Sequence, residues 1–255
     1  MRIPKILILA GMACSAAVAQ TFTVVNAASF TRDFPLAPGS YAQIFPPQGA
    51  SFTGVTGLTN TPGVPLPTTL ADVQVLVNDV PSPLYTVASS VIAFVLPQAT
   101  AVGPGRVRVV RAGTEIAAAT IHVIESAPGI FFATLPNDTA DTGGIRNENF
   151  SQTSPTNRAR RGEVIAIFGT GQGPLTQPLP DGQAAAGAIP MRNPAKVFVS
   201  VEEARVEYAG AAPGFPGLWQ INARVPDRPF IAGRLPVFVT INGISSNATT
   251  FWVVE

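Results

Sequence analysis

The chain has 255 residues, a formal net charge of +1 and only 12% charged residues. This balance excludes an intrinsically disordered chain, which needs low hydrophobicity and high net charge, and it lacks the basic excess of a nucleic-acid binder. The 23 Gly and 25 Pro residues do not follow the every-third-residue period of collagen, so they read as punctuation in a globular, turn-rich protein.

Met1-Arg2-Ile3-Pro4-Lys5 is a short basic segment, Ile6–Ala19 is apolar and uncharged, and Ala17-Val18-Ala19 is a cleavage pattern of small residues. Together they predict a secretory signal peptide over residues 1–19 and an extracytoplasmic location: periplasm, cell surface or extracellular. The apolar run is too short for a spanning helix, which needs about 20 residues, and no later segment predicts a membrane span. Acylation at Cys14 is the weaker alternative, because Gly11 stands where a lipobox usually has Leu. Cleavage before Gln20 removes Arg2, Lys5 and the only cysteine, which turns the net charge to −1 and leaves no disulfide. Apolar cores must then hold the mature chain, which domains of about 100 residues can do.

After the leader the sequence runs twice through one pattern. Gly39–Phe45 matches Gly162–Phe168, and Val73, Val75 and Val77 match Val197, Val199 and Val201. Ile92–Pro97 matches Ile221–Pro226, and Gly103–Glu125 matches Gly233–Glu255 without a gap. Within each copy Val73–Val77, Val197–Val201 and Arg106–Val110 alternate with period two, as strands with one buried and one wet face do. Turn signals separate these strands at Pro38-Gly39, Asn78-Asp79, Ala112-Gly113 and Asn242-Gly243. Asn242-Gly243 predicts a type I′ hairpin joining Val237–Ile241 to Thr249–Val253. The prediction is an all-β fold of two tandem immunoglobulin-like β-sandwich domains, residues 20–126 and 127–255, after the signal peptide.

The boundary falls near Glu125-Ser126-Ala127-Pro128-Gly129, since Pro128 cannot donate to a ladder. The polar stretch Thr134–Asn157 has no counterpart in the first copy, and a hairpin of Ile130–Ala133 with Ile145–Phe150 is expected around Asp141-Thr142-Gly143-Gly144. Two irregular segments, Pro46–Asp72 and Gly169–Lys196, each carry Pro-Leu-Pro and are expected to wrap a sandwich edge. Strands of five or six residues are too short for a transmembrane barrel, which needs about 9–11.

Several motifs stand in order: Val25-Asn26-Ala27-Ala28-Ser29-Phe30, Ala127-Pro128-Gly129-Ile130-Phe131, Phe168-Gly169-Thr170-Gly171-Gln172-Gly173, Gly217-Leu218-Trp219-Gln220-Ile221-Asn222 and Asn242-Gly243-Ile244-Ser245-Ser246-Asn247. As a set they resemble the uncharacterised Solibacter-type C-terminal domain of acidobacterial exported proteins, over about Thr23 to Val254. Each half also resembles a divergent IPT/TIG-type immunoglobulin-like domain. The resemblance implies a β-sandwich module of exported proteins and supplies no catalytic residue. The chain departs from the pattern at Phe45-Pro46-Pro47, where the second copy has Phe168-Gly169-Thr170.

No catalytic, cofactor or metal set emerges. His122 is the only histidine, lies on an outward strand face and is matched by Trp252 in the other copy, which argues against a triad. Gly169-Thr170-Gly171-Gln172-Gly173 is followed by Pro174 and opens no helix, so it is a turn and not a phosphate cradle. Asn137–Asp141 offers oxygens without the register of a calcium loop. Glu202, Glu203 and Glu207 are candidate paired acids, but are expected on the turn matching Asn78-Asp79. Arg158-Ala159-Arg160-Arg161 is the only basic cluster and reads as a solvated lead-in to the second copy. Trp219 belongs to the core, whereas Trp252 faces outward and is the candidate surface contact. The sequence therefore predicts a non-enzymatic exported module without cofactor, for protein interaction or cell-surface assembly. Its partner would be a protein or a surface glycan, and a carbohydrate-binding module using Trp252 and nearby loops is the alternative.

Overall fold

The computed structural model describes residues 20–134 and 141–254. The signal-peptide segment, Cys14 and most of the Asn137–Asp141 stretch lie outside them. The described chain is all-β. The first half contains β1 (Thr23–Asn26), β2 (Tyr41–Phe45), β3 (Leu58–Asn60), β4 (Val73–Val77), β5 (Val80–Ser82), β6 (Leu84–Ala88), β7 (Ile92–Val95), β8 (Gly103–Arg111) and β9 (Thr114–Val123). The second contains β10 (Gly129–Ile130), β11 (Phe132–Thr134), β12 (Asp141–Gly143), β13 (Ile145–Arg146), β14 (Val164–Thr170), β15 (Ala195–Val199), β16 (Glu202–Ala211), β17 (Leu218–Arg224), β18 (Gly233–Ile241), β19 (Ile244–Ser245) and β20 (Thr249–Val253).

Alternation explains the sandwich packing. One sheet of the first half runs β1-β2-β7-β6-β3 and the other β5-β4-β8-β9. Ala42, Ile44, Leu84, Ile92 and Phe94 meet Val73, Val75, Val107 and Val109 between them, with Phe52 and Leu36 closing the core from loops. Arg106 and Arg108 take the other face of β8 and pair with Glu115 and Asp79. The second half repeats the arrangement around Ile165, Ile167, Trp219, Ile221, Val197, Val237, Val239 and Phe251. Here β16 serves both layers: Glu202–Ala204 pair with β15, and Arg205–Ala211 pair with β17. In the first half Pro83, without an N–H for a ladder, stands between β5 and β6, which pair with opposite sheets. Strands β8, β9, β16 and β18 have 9 or 10 residues, longer than expected. A membrane barrel is opposed instead by polarity, because the cores are apolar and ion pairs lie outside. Among the described residues no helix is long and apolar enough to cross a membrane.

Ladder registers relate the halves. Tyr41 faces Val95 and Ile44 faces Ile92, just as Val164 faces Arg224 and Ile167 faces Ile221. Gly103 faces Val123, and Gly233 faces Val253. Val77 faces Val107, and Val199 faces Val237, so Val73, Val75 and Val77 correspond to Ala195, Val197 and Val199. The expected match to Val197, Val199 and Val201 is two residues out. Val201 sits 81% exposed in the turn after Ser200, whose φ of 54° ends the strand. Both halves carry a bulge at one place, with Tyr85 the extra residue in β6 and Glu207 in β16.

Other turns also differ from expectation. Asn242 (φ 52°) and Gly243 (φ 76°) have the two positive φ angles of a type I′ turn, but they join β18 to β19 and not directly to β20. The expected hairpin around Asp141–Gly144 is displaced: β11 pairs with β12, and Ile145-Arg146 pairs with β14. Gly143 is a strand residue pressed against β20, where a Cβ would lie 2.6 Å from Thr249 Cγ2. Its missing side chain serves close approach and not a turn.

The halves meet along a buried polar seam. Gly169, Gly171 and Gly173 lie directly on the linker. A Cβ on each would fall 2.1 Å from Gly129 O, 2.0 Å from Ala127 O and 1.9 Å from Glu125 O. Ala127 N donates to Gly171 O at 2.9 Å, and Ser126 Oγ donates to Gln172 O at 3.0 Å. Asn26, fully buried, donates from Nδ2 to Ala127 O, while its Oδ1 accepts from the Ala28 and Ser29 amides. Thr170 Oγ1 accepts from Tyr41 N at 2.7 Å and donates to Gly217 O at 2.6 Å. Tyr85 packs edge-on to Tyr41 and donates its hydroxyl to Pro216 O at 2.7 Å. The two Pro-Leu-Pro segments take part as well, since Leu66 N donates to Gly182 O and Gln98 N to Asp181 Oδ1.

Adding a methyl in the seam forces overlap with backbone. Gly171→Ala is expected to lower unfolding stability by roughly 1–3 kcal/mol, while Gly187→Ala, with nothing within 4 Å of its Cβ, leaves it unchanged. Denaturant unfolding checks both. The tyrosines give a second expectation. Burial pushes Tyr85 above the ordinary 10.0, with neighbouring Tyr41 adding to the rise. Burial also pushes up Tyr41, against a hydrogen bond from Gln43, and Tyr208, against one with the Ile189 backbone. A folded pKa above the unfolded one gives stability that is intact below the unfolded value and lost as pH rises through the folded one. Spectrophotometric titration should therefore ionise the native phenols at higher pH than those of the urea-unfolded chain, and stability should fall on alkalinisation from about pH 10.

Candidate functional site

The described part of the polar stretch missing from the first half, residues 141–157, folds on itself. Ser, Asn and Thr side chains compete for nearby backbone groups, which suits them to compact loops. Asn147 N donates to Ser151 O, Phe150 N to Asn147 O, and Asn157 Nδ2 to Gln152 O and Ser151 Oγ. A turn at Gly162 (φ 78°) follows, where Glu163 Oε2 accepts from the Arg160 amide and Oε1 pairs with its guanidinium at 3.9 Å. Between loop and turn lies a cleft of about 490 Å³. Asn147, Glu148, Asn149 and Asn157 of the loop line it together with Arg158, Arg160 and Glu163. Phe150, next in the chain to Asn149, is 62% exposed and holds a φ of 61°.

Trp252 does lie on the face of β20 away from the core, between buried Phe251 and Val253, but it is half-buried and not an open platform. Arg158 and Arg234 place guanidinium carbons 5.4 and 5.6 Å from its ring centroid. Its Nε1 is buried, and its backbone carbonyl accepts from Ala159 N at 2.8 Å. The basic cluster keeps Arg160 in water and also makes contacts of its own. Arg158 covers the indole and donates to Pro155 O, and Arg161 donates to the carbonyls of Arg228 and Pro229.

The candidate acids stand in strand β16 and not on the turn, which is Ser200-Val201. Consecutive strand residues point to opposite faces, so Glu202 and Glu203 diverge. Glu202 pairs with Arg228 at 3.7 Å, Glu203 with Lys196 at 3.2 Å and Glu207 with Arg224 at 2.5 Å. Each acid is committed to its own cation. His122 is exposed on β9, beside an open groove of about 530 Å³ that Phe22, Val24 and Ile121 also line. Among the described residues no three His, Cys, Asp or Glu side chains gather as metal ligands would. The glycine run is followed by Pro174 and no helix, and the carbonyls of Gly171 and Gln172 accept from the linker. Of the cleft residues, Arg158 and Arg160 belong to the basic cluster read from the sequence, whereas Asn147, Glu148, Asn149 and Asn157 carry no motif. The signal of those four in the sequence is a polar stretch present in the second half and missing from the first.

No known family model matches the chain, and no curated protein does. Among solved structures, one that is similar is a γ-CGTase of an alkalophilic Bacillus clarkii. It shares 15% identity, with a TM-score of 0.30 over 87% of this chain and 23% of the other. Another is the SGBP-B protein of a Bacteroides ovatus mixed-linkage glucan utilization locus, solved with a mixed-linkage heptasaccharide. It shares 12% identity, with a TM-score of 0.31 over 87% of this chain and 44% of the other. Domains 5–6 of the S-layer protein SbsC share 12% identity, with a TM-score of 0.27 over 93% and 98%. The chain thus spans less than half the length of the first two.

Removing the indole should expose Arg158, Arg234 and the strand beneath. Trp252→Ala is expected to cost roughly 1–3 kcal/mol of stability, with Trp252→Phe recovering part of it. Chemical denaturation of both variants measures this.

Proposed function

We propose that the chain is a non-enzymatic, exported two-sandwich module that works by contact, in protein interaction or cell-surface assembly. The observation that carries this reading is the buried seam. The polar residues Asn26, Ser126 and Thr170 spend their hydrogen bonds on fixing one half against the other. A body whose two halves keep one mutual angle presents its loops at fixed separation, which suits a spacer or an assembly element. The candidate acids, paired singly with Arg224, Arg228 and Lys196 on strand surfaces, serve the same framework. Export is supported by the basic, apolar and small-residue pattern of residues 1–19 and by the resemblance to acidobacterial exported domains.

N-terminal sequencing of the protein from its native host is expected to begin at Gln20, in an extracytoplasmic fraction. Crosslinking on intact cells is expected to join it to an envelope component. Substrate turnover by the purified chain, or recovery of the uncleaved chain in the cytoplasm, would overturn the reading.

A further inference from the structure

We propose that Asn242 is a site of spontaneous deamidation, and that the carboxylate left there loosens the seam by facing Glu125. Asn242-Gly243 is the only Asn-Gly pair in the sequence. The reaction is intramolecular, which gives the attacking group a high effective concentration. The Gly243 backbone nitrogen attacks Asn242 Cγ, the new C–N bond closes a succinimide ring, and the bond to Nδ2 breaks. Ammonia leaves with the proton of the Gly243 amide. Water then adds to either imide carbonyl and reopens the ring to aspartate or isoaspartate. Water is the one co-reactant, so the chain and its solvent suffice. Glycine in the second position leaves its nitrogen unshielded by a side chain.

Asn242 and Gly243 are exposed at the turn between β18 and β19, and nothing lies within 4 Å of a Cβ built on Gly243. Ring closure requires the turn to leave its type I′ angles. That opening is local, because β19 has two residues, held by the pairs Thr240–Ser245 and Ile241–Ile244, and short exposed ladders fray most readily. The one Asp-Gly pair, Asp181-Gly182, can close the same ring but is clamped. Asp181 Oδ1 accepts from Gln98 N, Gly182 O accepts from Leu66 N, and a Cβ on Gly182 would fall 2.8 Å from Leu66 O. At the open pair, Asn242 Nδ2 donates to Glu125 Oε2 at 3.2 Å, and Asn193 Nδ2 donates to Glu125 Oε1 at 3.1 Å. Two neutral amides of the second half thus hold the carboxylate of a linker residue whose carbonyl rests on Gly173. Among the described residues no cation pairs with Glu125. Deamidation turns the Asn242 donor into an anion that only accepts. Two carboxylates then stand at hydrogen-bond distance and repel, and isoaspartate also lengthens the main chain of the turn. The pair is exposed, so salt screens the repulsion.

The test ages the mature chain, residues 20–255, in mildly alkaline buffer beside a urea-unfolded sample, and maps aspartate and isoaspartate by peptide fragmentation. In the folded chain both products are expected at position 242, ahead of any reaction at Asp181. Asn242→Asp reproduces the first product without disturbing the turn, since Asp-Gly also suits type I′ angles. It should raise the unfolding equilibrium constant roughly twofold to fivefold at low salt, and less at high salt. Adding Glu125→Gln should remove most of that change. A folded chain that keeps Asn242 while the unfolded one loses it, reaction at Asp181 ahead of Asn242, or an Asn242→Asp effect of equal size with and without Glu125→Gln overturns the proposal. None of these outcomes touches the contact-module reading, which turns on export, crosslinking and the absence of turnover.

Discussion

Three glycines on one strand end decide how the two halves of this protein meet. Gly169, Gly171 and Gly173 face Gly129, Ala127 and Glu125 in antiparallel order, and each lets a linker carbonyl sit where a Cβ would be. Once the linker lies on that surface, the surrounding partners come within reach. Asn26 reaches the Ala127 carbonyl, Thr170 bridges Tyr41 to Gly217, and Tyr85 reaches Pro216. The seam is polar but internally satisfied at these groups, which makes it directional. Apolar contact alone would permit sliding, whereas hydrogen bonds with fixed donors and acceptors select one register.

The sandwiches on either side use similar ladders for different ends. Each has a bulge in the strand that follows the first turn of its hairpin sheet, and a bulge re-aims the side chain it adds. In β6 the extra residue is Tyr85, sent across the seam. In β16 it is Glu207, held by Arg224 within its own half. The second half spends its additional residues elsewhere, on the loop that shapes the polar cleft and on the Arg158 cover of Trp252.

Much of this was legible from period and punctuation. Alternation located β4, β8 and β17, placed Trp219 in the core and put the type I′ angles at Asn242 and Gly243, because each depends on neighbours close in sequence. What was not legible depends on contacts distant in sequence. A glycine under a linker and a glycine in a turn are the same letter, so Gly143 and Gly171 both read as turns. The slide of β15 to Ala195–Val199 was hidden because Val197, Val199 and Val201 alternate equally well in either register, and only pairing with β18 decides. Trp252 was placed on the correct face. Its cover comes from Arg158, nearly a hundred positions earlier, which no local pattern reveals. The cleft has no spacing signature because its residues come from a loop and a turn brought together by the fold.

The bulge at Glu207 also sets a limit on growth by stacking. A further sandwich docked on the second half as the second docks on the first would need an aromatic hydroxyl where Glu207 and Arg224 now hold each other. It would meet a charged pair whose desolvation nothing in such a seam offsets. A unit docked on the second half in the same way would thus lack the counterpart of the Tyr85–Pro216 bond.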